Sequence, residues 1–197
     1  MATETLTFAQ RLKAETKTTH DSVDNLVMSV QPFASKDNYL KFLQLQAIFH
    51  RIVDDIYHDA ALNQAIPKLS SMARFATVQQ DIQDLEVTPP TIDLASLPKP
   101  TGARAVGWLY CAEGSNLGAA FLYKQAQKEL NFDEHRGARH LAAHEDGRAP
   151  HWREFVDHLN NLPLDQAAAN EAIEGAKDAF TFYKQALRQV FHLPAAA

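Results

Sequence analysis

Two glycines four residues apart, Gly114 and Gly118, lie inside a segment whose apolar periodicity is helical from residue 102 to 131. Each glycine costs roughly 0.5–1 kcal/mol relative to alanine in a helix interior. The spacing places both on one helix face, with Ser115 beside the first. The pattern fits either close packing of a neighbouring helix or a helix bent over a flat ligand that needs bare backbone. Taken alone, helix packing is the simpler interpretation.

His20 is the second candidate, because its spacing predicts that the imidazole points inward from a first helix. The residues that share its core-facing stripe are Leu12, Thr16, Val23, Val27 and Val30. A lone inward histidine is usually a core residue with a hydrogen-bond partner. Lys13 changes that interpretation, since it lies two turns earlier on the same face. An imidazole and a cation so placed fit a metalloporphyrin, whose iron binds histidine and whose propionates attract positive charge.

Other histidines could bind a divalent metal ion. His50, Asp54 and His58 share one face of a second helix and offer imidazole and carboxylate ligands. We interpret that face as polar and solvated, because an apolar stripe lies opposite it. A weaker pattern, in a predicted loop, consists of His135, His140 and His144.

The elements that must position these residues are predicted to be helical, because strand patterns are almost absent. We predict an all-α fold in one domain over residues 1–197. An irregular connection at about residues 87–101 holds four prolines, and a loop covers Phe132 to Pro150. A predicted helix begins after the N-cap Ser35. The other predicted helices are Thr7 to Val30, Ser70 to Leu85, 102 to 131, His151 to Asn161, and Asp165 to His192.

Composition narrows the function classes. The 197 residues are 46% hydrophobic, enough for one sizeable core, and the net charge of −5 argues against nucleic acid as a partner. No apolar run has the length of a signal or membrane span, so we expect no membrane association and a cytoplasmic location. The single cysteine, Cys111, cannot form an internal disulfide. Its apolar neighbours indicate a buried structural thiol rather than a nucleophile.

The chain resembles the heme oxygenases, and specifically the bacterial biliverdin-producing enzymes that release iron from heme. The resemblance extends over nearly the whole chain. It is carried by segments 19–23, 31–39, 107–121, 137–142 and 178–180, together with Lys13 and Tyr183.

This resemblance implies a helical bundle in which heme is sandwiched between the first helix and a kinked distal helix. His20 would be the proximal ligand of the heme iron. Gly114, Ser115 and Gly118 would form the catalytic distal face. The remaining expected heme contacts are Lys13 to a propionate, Tyr110 through its hydroxyl, and Phe180 from the last helix.

The implied reaction is oxidative cleavage of heme at one meso carbon. It uses dioxygen and an external electron donor, such as a ferredoxin or an NADPH-dependent reductase, and yields biliverdin, carbon monoxide and ferrous iron. Ser115 stands where the mammalian-type pattern has aspartate, so the proton-delivery group is not assigned. Relatives in which heme is rotated have lysines at the positions of Met28 and Gln125. The absence of those lysines here favours opening of heme at the alpha meso carbon. We expect a monomer.

Two alternatives belong to other classes of protein. The first is a heme-binding carrier or sequestering protein that has the same pocket but no turnover. The second is a divalent-metal enzyme of the helical-bundle type that uses His50, Asp54 and His58.

Overall fold

The computed structural model describes residues 6–91 and 93–194. Over these residues the chain forms seven α-helices and no β-strand beyond isolated bridges at Asp133, which confirms the predicted all-α fold. The helices are α1 (Phe8–Ser29), α2 (Lys36–Tyr57), α3 (Ala60–Ala65), α4 (Phe75–Asp84), α5 (Gly102–Leu130), α6 (Arg148–Asn160) and α7 (Gln166–Val190).

Polar caps fix where the long helices begin. Thr7 and Gln10 form a capping box before α1, in which each side chain accepts a hydrogen bond from the backbone N–H of the other residue. The Ser35 hydroxyl accepts from the Asn38 N–H at 3.1 Å, which confirms Ser35 as the N-cap of α2. Asp165 caps α7 in the same way. These signals are local in sequence, so the predicted starts agree with the observed ones.

Three boundaries differ from the prediction. The helix predicted from Ser70 to Leu85 is divided into a 3-10 turn, Leu69–Met72, and α4, because Ala73 between them has an extended backbone with ψ 138°. The short helix α3 was not predicted. The helix predicted from His151 begins three residues earlier, and Pro150 lies in its first turn, where a missing N–H loses no hydrogen bond.

Two other glycines, Gly107 and Gly175, bring α5 and α7 together. A Cβ atom added at Gly107 would collide with the backbone carbonyl of Ala172, and one at Gly175 would collide with that of Arg104. The two helix backbones therefore touch at this crossing, and no larger residue fits at either position.

Helices α1 and α5 both belong to the bundle around α7, yet they hardly touch each other. Two separate clusters of buried side chains hold the helices in place. One contains Leu12, Trp108 and Phe155, and the other contains Tyr39 and Phe42. The space between α1 and α5 remains open as a large cavity.

The loop from Phe132 to Pro150 is held against α4. The buried carboxylate of Asp81 accepts hydrogen bonds from the backbone N–H groups of Arg139 (2.9 Å) and His140 (3.0 Å). The Tyr39 hydroxyl donates to the Gly137 carbonyl at 2.6 Å. His140 is thereby buried rather than exposed on a surface loop.

Among the described helices, none has the length and apolar character needed to cross a bilayer.

Candidate functional site

A cavity of about 790 Å³ separates α1 from α5, and α2 and α7 complete its walls. This volume falls within the usual range for small-molecule and cofactor pockets. The structure brings together at this cavity all seven residues that the sequence assigned to the site, namely Lys13, His20, Tyr110, Gly114, Ser115, Gly118 and Phe180.

His20 lines the cavity rather than the core. Its side chain is 55% exposed, so the imidazole borders the open cavity and does not pack in the core. The helix stripe that carries it passes from the core, at Leu12, to the open space. The ring meets Phe180 edge-on, with centroids 5.8 Å apart. Its Nδ1 lies 3.3 Å from Asp24 Oδ2.

Gly118 borders the open cavity, and Gly114 faces the cavity and the Trp152 side chain of α6, with no close approach of another helix backbone. A Cβ atom at Gly118 would have nothing within 4 Å, and one at Gly114 would meet only the Trp152 side chain at 3.7 Å. The interpretation of this pair as a helix-packing contact is therefore wrong. Helix α5 continues through both glycines without ending. The Ser115 hydroxyl donates to the Ala112 carbonyl of its own helix at 2.6 Å.

Two neighbouring titratable groups at the cavity are neutral. Burial raises the pKa of Tyr110 to about 12, so its phenol keeps its proton. Burial also raises the pKa of the Cys111 thiol, whose Sγ lies 3.5 Å from the Ala176 carbonyl. The expected buried thiol is confirmed, and it has no thiolate character.

Sequence reasoning missed two histidines of the cavity, His50 and His140. His50 is only 5% exposed, although its helix face was interpreted as solvated. Burial, with smaller contributions from His140 and Arg74, lowers the pKa of His50 to about 3, so the ring is neutral. Its position could have been found from the recurrence of Phe42, Gln46 and His50 at every fourth residue, since all three line the cavity.

The two histidines have buried nitrogens that lack partners, Nδ1 of His50 and Nε2 of His140. His140 Nδ1 lies 2.7 Å from Asp81 Oδ2, so Nδ1 carries a proton that it donates to this carboxylate. Unpaired nitrogens in a polar part of a cavity are suited to bind water or a polar ligand group.

Neither histidine set proposed from the sequence forms a metal site. His58 Nδ1 lies 2.8 Å from the Asp54 carbonyl of its own helix, while His50 is buried in the cavity wall. In the other set, His135 is exposed, His140 is paired with Asp81, and His144 stacks on His151. Within the described residues, one group of three or more metal-binding side chains converges, and it consists of Glu113, His144 and His151.

The cavity wall fits a flat apolar ligand with an anionic edge. Met28, Leu117 and Phe121 are exposed large hydrophobic residues at this cavity, 38–52% exposed, as expected where a ligand normally covers them. Lys13 supplies positive charge from α1, whereas Lys17 is paired with Asp21 at 2.6 Å. The open space at Gly118 leaves room for a ring system against α5. These features fit heme, a planar tetrapyrrole with two carboxylates.

Residues 6–189 match the family model described as heme oxygenase. The chain therefore belongs to the heme oxygenase family, and it is an oxidoreductase that degrades heme to biliverdin.

Three relatives illustrate the similarity. Heme oxygenase PigA of Pseudomonas aeruginosa is 39% identical over 184 residues, which cover 93% of this chain and 92% of the relative. The crystal structure of the NO- and CO-bound heme oxygenase from Neisseria meningitidis has 61% identity and a TM-score of 0.94, over 98% of this chain and 96% of that one. Heme oxygenase-1 from the cyanobacterium Synechocystis, solved with heme, shares the fold (TM-score 0.72, 21% identity, 93% and 92% covered).

Proposed function

We propose that this chain cleaves heme at one meso carbon, with His20 as the protein ligand of the heme iron. Dioxygen and externally supplied electrons are consumed, and biliverdin, carbon monoxide and ferrous iron are formed. Bound heme supplies the iron that activates dioxygen and the carbon that is oxidised. The observation that carries the proposal is that His20 and the glycine pair line one cavity.

The surroundings of His20 suit an iron ligand. Asp24, 3.3 Å from Nδ1, favours the tautomer in which Nδ1 carries the proton and Nε2 has the free lone pair. Phe180 contacts the ring edge-on and restricts its rotation. A neutral imidazole with a fixed tautomer is the form that binds iron.

The face formed by Gly114, Ser115 and Gly118 gives access to the ring. Because Gly118 has no Cβ, a small molecule can approach α5 closely there. The Ser115 hydroxyl is bound to the Ala112 carbonyl, but its oxygen can still accept a hydrogen bond from water. His50 and His140 can hold further water in the cavity through their unpaired nitrogens.

Lys13 and Tyr110 are suited to the carboxylate edge of heme. Lys13 is exposed on α1 at the cavity, and Tyr110 is a neutral donor on α5. A lysine and a phenol can both donate hydrogen bonds to a propionate, and these contacts orient the ring within its plane.

The electrons come from a separate donor, such as a ferredoxin or an NADPH-dependent reductase. The single cysteine is buried with a raised pKa, so the chain has no dithiol to supply them.

The test is the replacement His20→Ala. We expect the variant to lose the wild-type heme absorption spectrum and to form no biliverdin with ascorbate or a ferredoxin system in air. His135→Ala removes an exposed histidine and serves as the control. A wild-type spectrum in His20→Ala would refute the ligand assignment. Binding of heme by the wild type without conversion to a green pigment would indicate a carrier instead.

A further inference from the structure

A buried group of ionisable side chains lies beside the heme cavity but outside its lining. Glu113 of α5 is fully buried, and His151 of α6 is nearly so. Glu113 accepts hydrogen bonds from the Tyr57 hydroxyl and from His151 Nε2, the latter at 2.7 Å. His144 stacks on His151 with ring centroids 3.9 Å apart. The proposed cleavage reaction assigns no role to any of these groups.

The donor atoms of this group converge. One carboxylate oxygen of Glu113 and one ring nitrogen from each of His144 and His151 lie within 4.8 Å of one another. Two imidazoles and one carboxylate, with open positions remaining, are the donor set that non-heme ferrous iron prefers. We propose that Glu113, His144 and His151 bind a divalent first-row transition metal ion, and that this ion is ferrous iron.

The residues around the three donors are those that a metal site needs. His151 Nδ1 lies 3.6 Å from Asp146 Oδ2, so this carboxylate can accept the Nδ1 proton when Nε2 binds the ion. The Tyr57 hydroxyl donates a hydrogen bond to the other carboxylate oxygen of Glu113. Histidines and carboxylates that bind metals are commonly oriented by such outer contacts.

His144 is ready to act as a ligand. Its Nε2 is buried and has no hydrogen-bond partner. Its ring nitrogen lies within 4.8 Å of the donor atoms of Glu113 and His151. A metal ion would give this buried nitrogen the partner that it lacks.

Binding has three costs. The proton that His151 Nε2 donates to Glu113 must leave, so binding is expected to weaken at low pH. The parallel rings of His144 and His151 must also tilt toward a common point. The buried cation Arg74 interacts with Glu113 and opposes a second positive charge.

The choice of ferrous iron rests on the proposed function, because cleavage of heme releases that ion. The site adjoins the cavity through two chain neighbours. Glu113 precedes Gly114, and His151 precedes Trp152, and both of these neighbours line the cavity. An ion leaving the heme would therefore meet this donor set close by.

The test is an anaerobic titration of the heme-free full chain with Co(II), followed by visible absorption, and then competition with Fe(II). We expect one Co(II) per chain, displaced by an excess of Fe(II), because sites of this kind generally bind Co(II) more tightly than Fe(II). His144→Ala should bind at least about tenfold more weakly, and Asp146→Asn, at a more exposed position, should also bind more weakly. His58→Ala, which changes an exposed histidine outside the site, is the control and should bind like the wild type.

Absence of stoichiometric Co(II) binding, or equal binding by wild type and His144→Ala, would overturn the site. Failure of a large excess of Fe(II) to displace Co(II) would overturn the assignment to ferrous iron. Because no heme is present, these results are independent of the cleavage reaction. His20→Ala protein should keep the Co(II) site even though it loses heme turnover.

Discussion

At the scale of single residues, burial divides the histidines into different chemical roles. His20 keeps an exposed ring at the cavity, whereas His50 and His140 are buried in its wall. His50 therefore stays neutral far below the usual pKa of histidine. A neutral ring is suited to bind water or a ligand, but it cannot act as a stored acid at neutral pH.

The depressed pKa of His50 predicts loss of stability in mild acid. Its pKa is about 3 in the folded protein and near 6.5 in the unfolded chain, so below pH 6.5 only the unfolded chain binds the proton. The free energy of unfolding of the heme-free protein should fall from pH 7.5 to 5.5, and His50 should account for about 1 kcal/mol of that decrease. Urea unfolding of His50→Gln should show a smaller decrease. His135→Gln, an exposed control, should behave like the wild type.

At the scale of helices, α5 contains glycines with two different functions. Gly107 lets the backbone of α5 touch that of α7, where a Cβ would collide with the Ala172 carbonyl. Gly118 borders open space, so its missing side chain serves the cavity and contributes nothing to packing. The same residue type thus sets the position of the helix at one point and leaves room for a ligand at another.

Alanine at these two positions should have opposite effects on stability. Gly107→Ala forces the packed backbones of α5 and α7 apart and should cost about 1–3 kcal/mol or more. Gly118→Ala meets no atom and should leave the heme-free protein as stable or up to about 1 kcal/mol more stable, because alanine favours helix. Thermal unfolding followed by circular dichroism measures both. Equal destabilisation by the two changes would contradict the assignment of roles.

At the scale of the whole molecule, the bundle is assembled around a space that it does not fill. The core clusters fix α1 and α5 on α7 while leaving them apart, and exposed apolar residues border the gap. Removing such residues from water favours occupation of the cavity by an apolar ligand. Heme binding should therefore stabilise the folded protein by mass action.

This predicts a heme-dependent rise in melting temperature that depends on Gly118. A ligand at 100 times its Kd adds about 2.7 kcal/mol of stability. Gly118→Leu should fold normally, because the position borders open space, but its side chain should obstruct the cavity and reduce the rise. Gly118→Ala is the matched control with a small side chain. Scanning fluorimetry with and without hemin compares the three proteins. A full rise in Gly118→Leu would show that heme does not occupy this part of the cavity.

The sequence by itself determined the long helices and most of their starts, and together with the family pattern it identified seven residues that face the cavity. Caps such as Thr7 and Ser35 act within a single turn, and a helical face depends only on spacing, so both can be read along the chain. The resemblance to the heme oxygenases added the information on which of those helix faces lie opposite each other across the cavity.

Only the tertiary structure decided which polar residues are buried and which glycines pack. The spacing of Phe42, Gln46 and His50 places His50 on one helix face with cavity residues, but its burial also requires α5, α7 and the loop around His140, which line the same cavity. Gly107 meets a carbonyl 65 residues away, and Glu113 meets His151 from another helix. Such contacts join residues distant in sequence, so their energies depend on how the helices assemble and leave no local pattern.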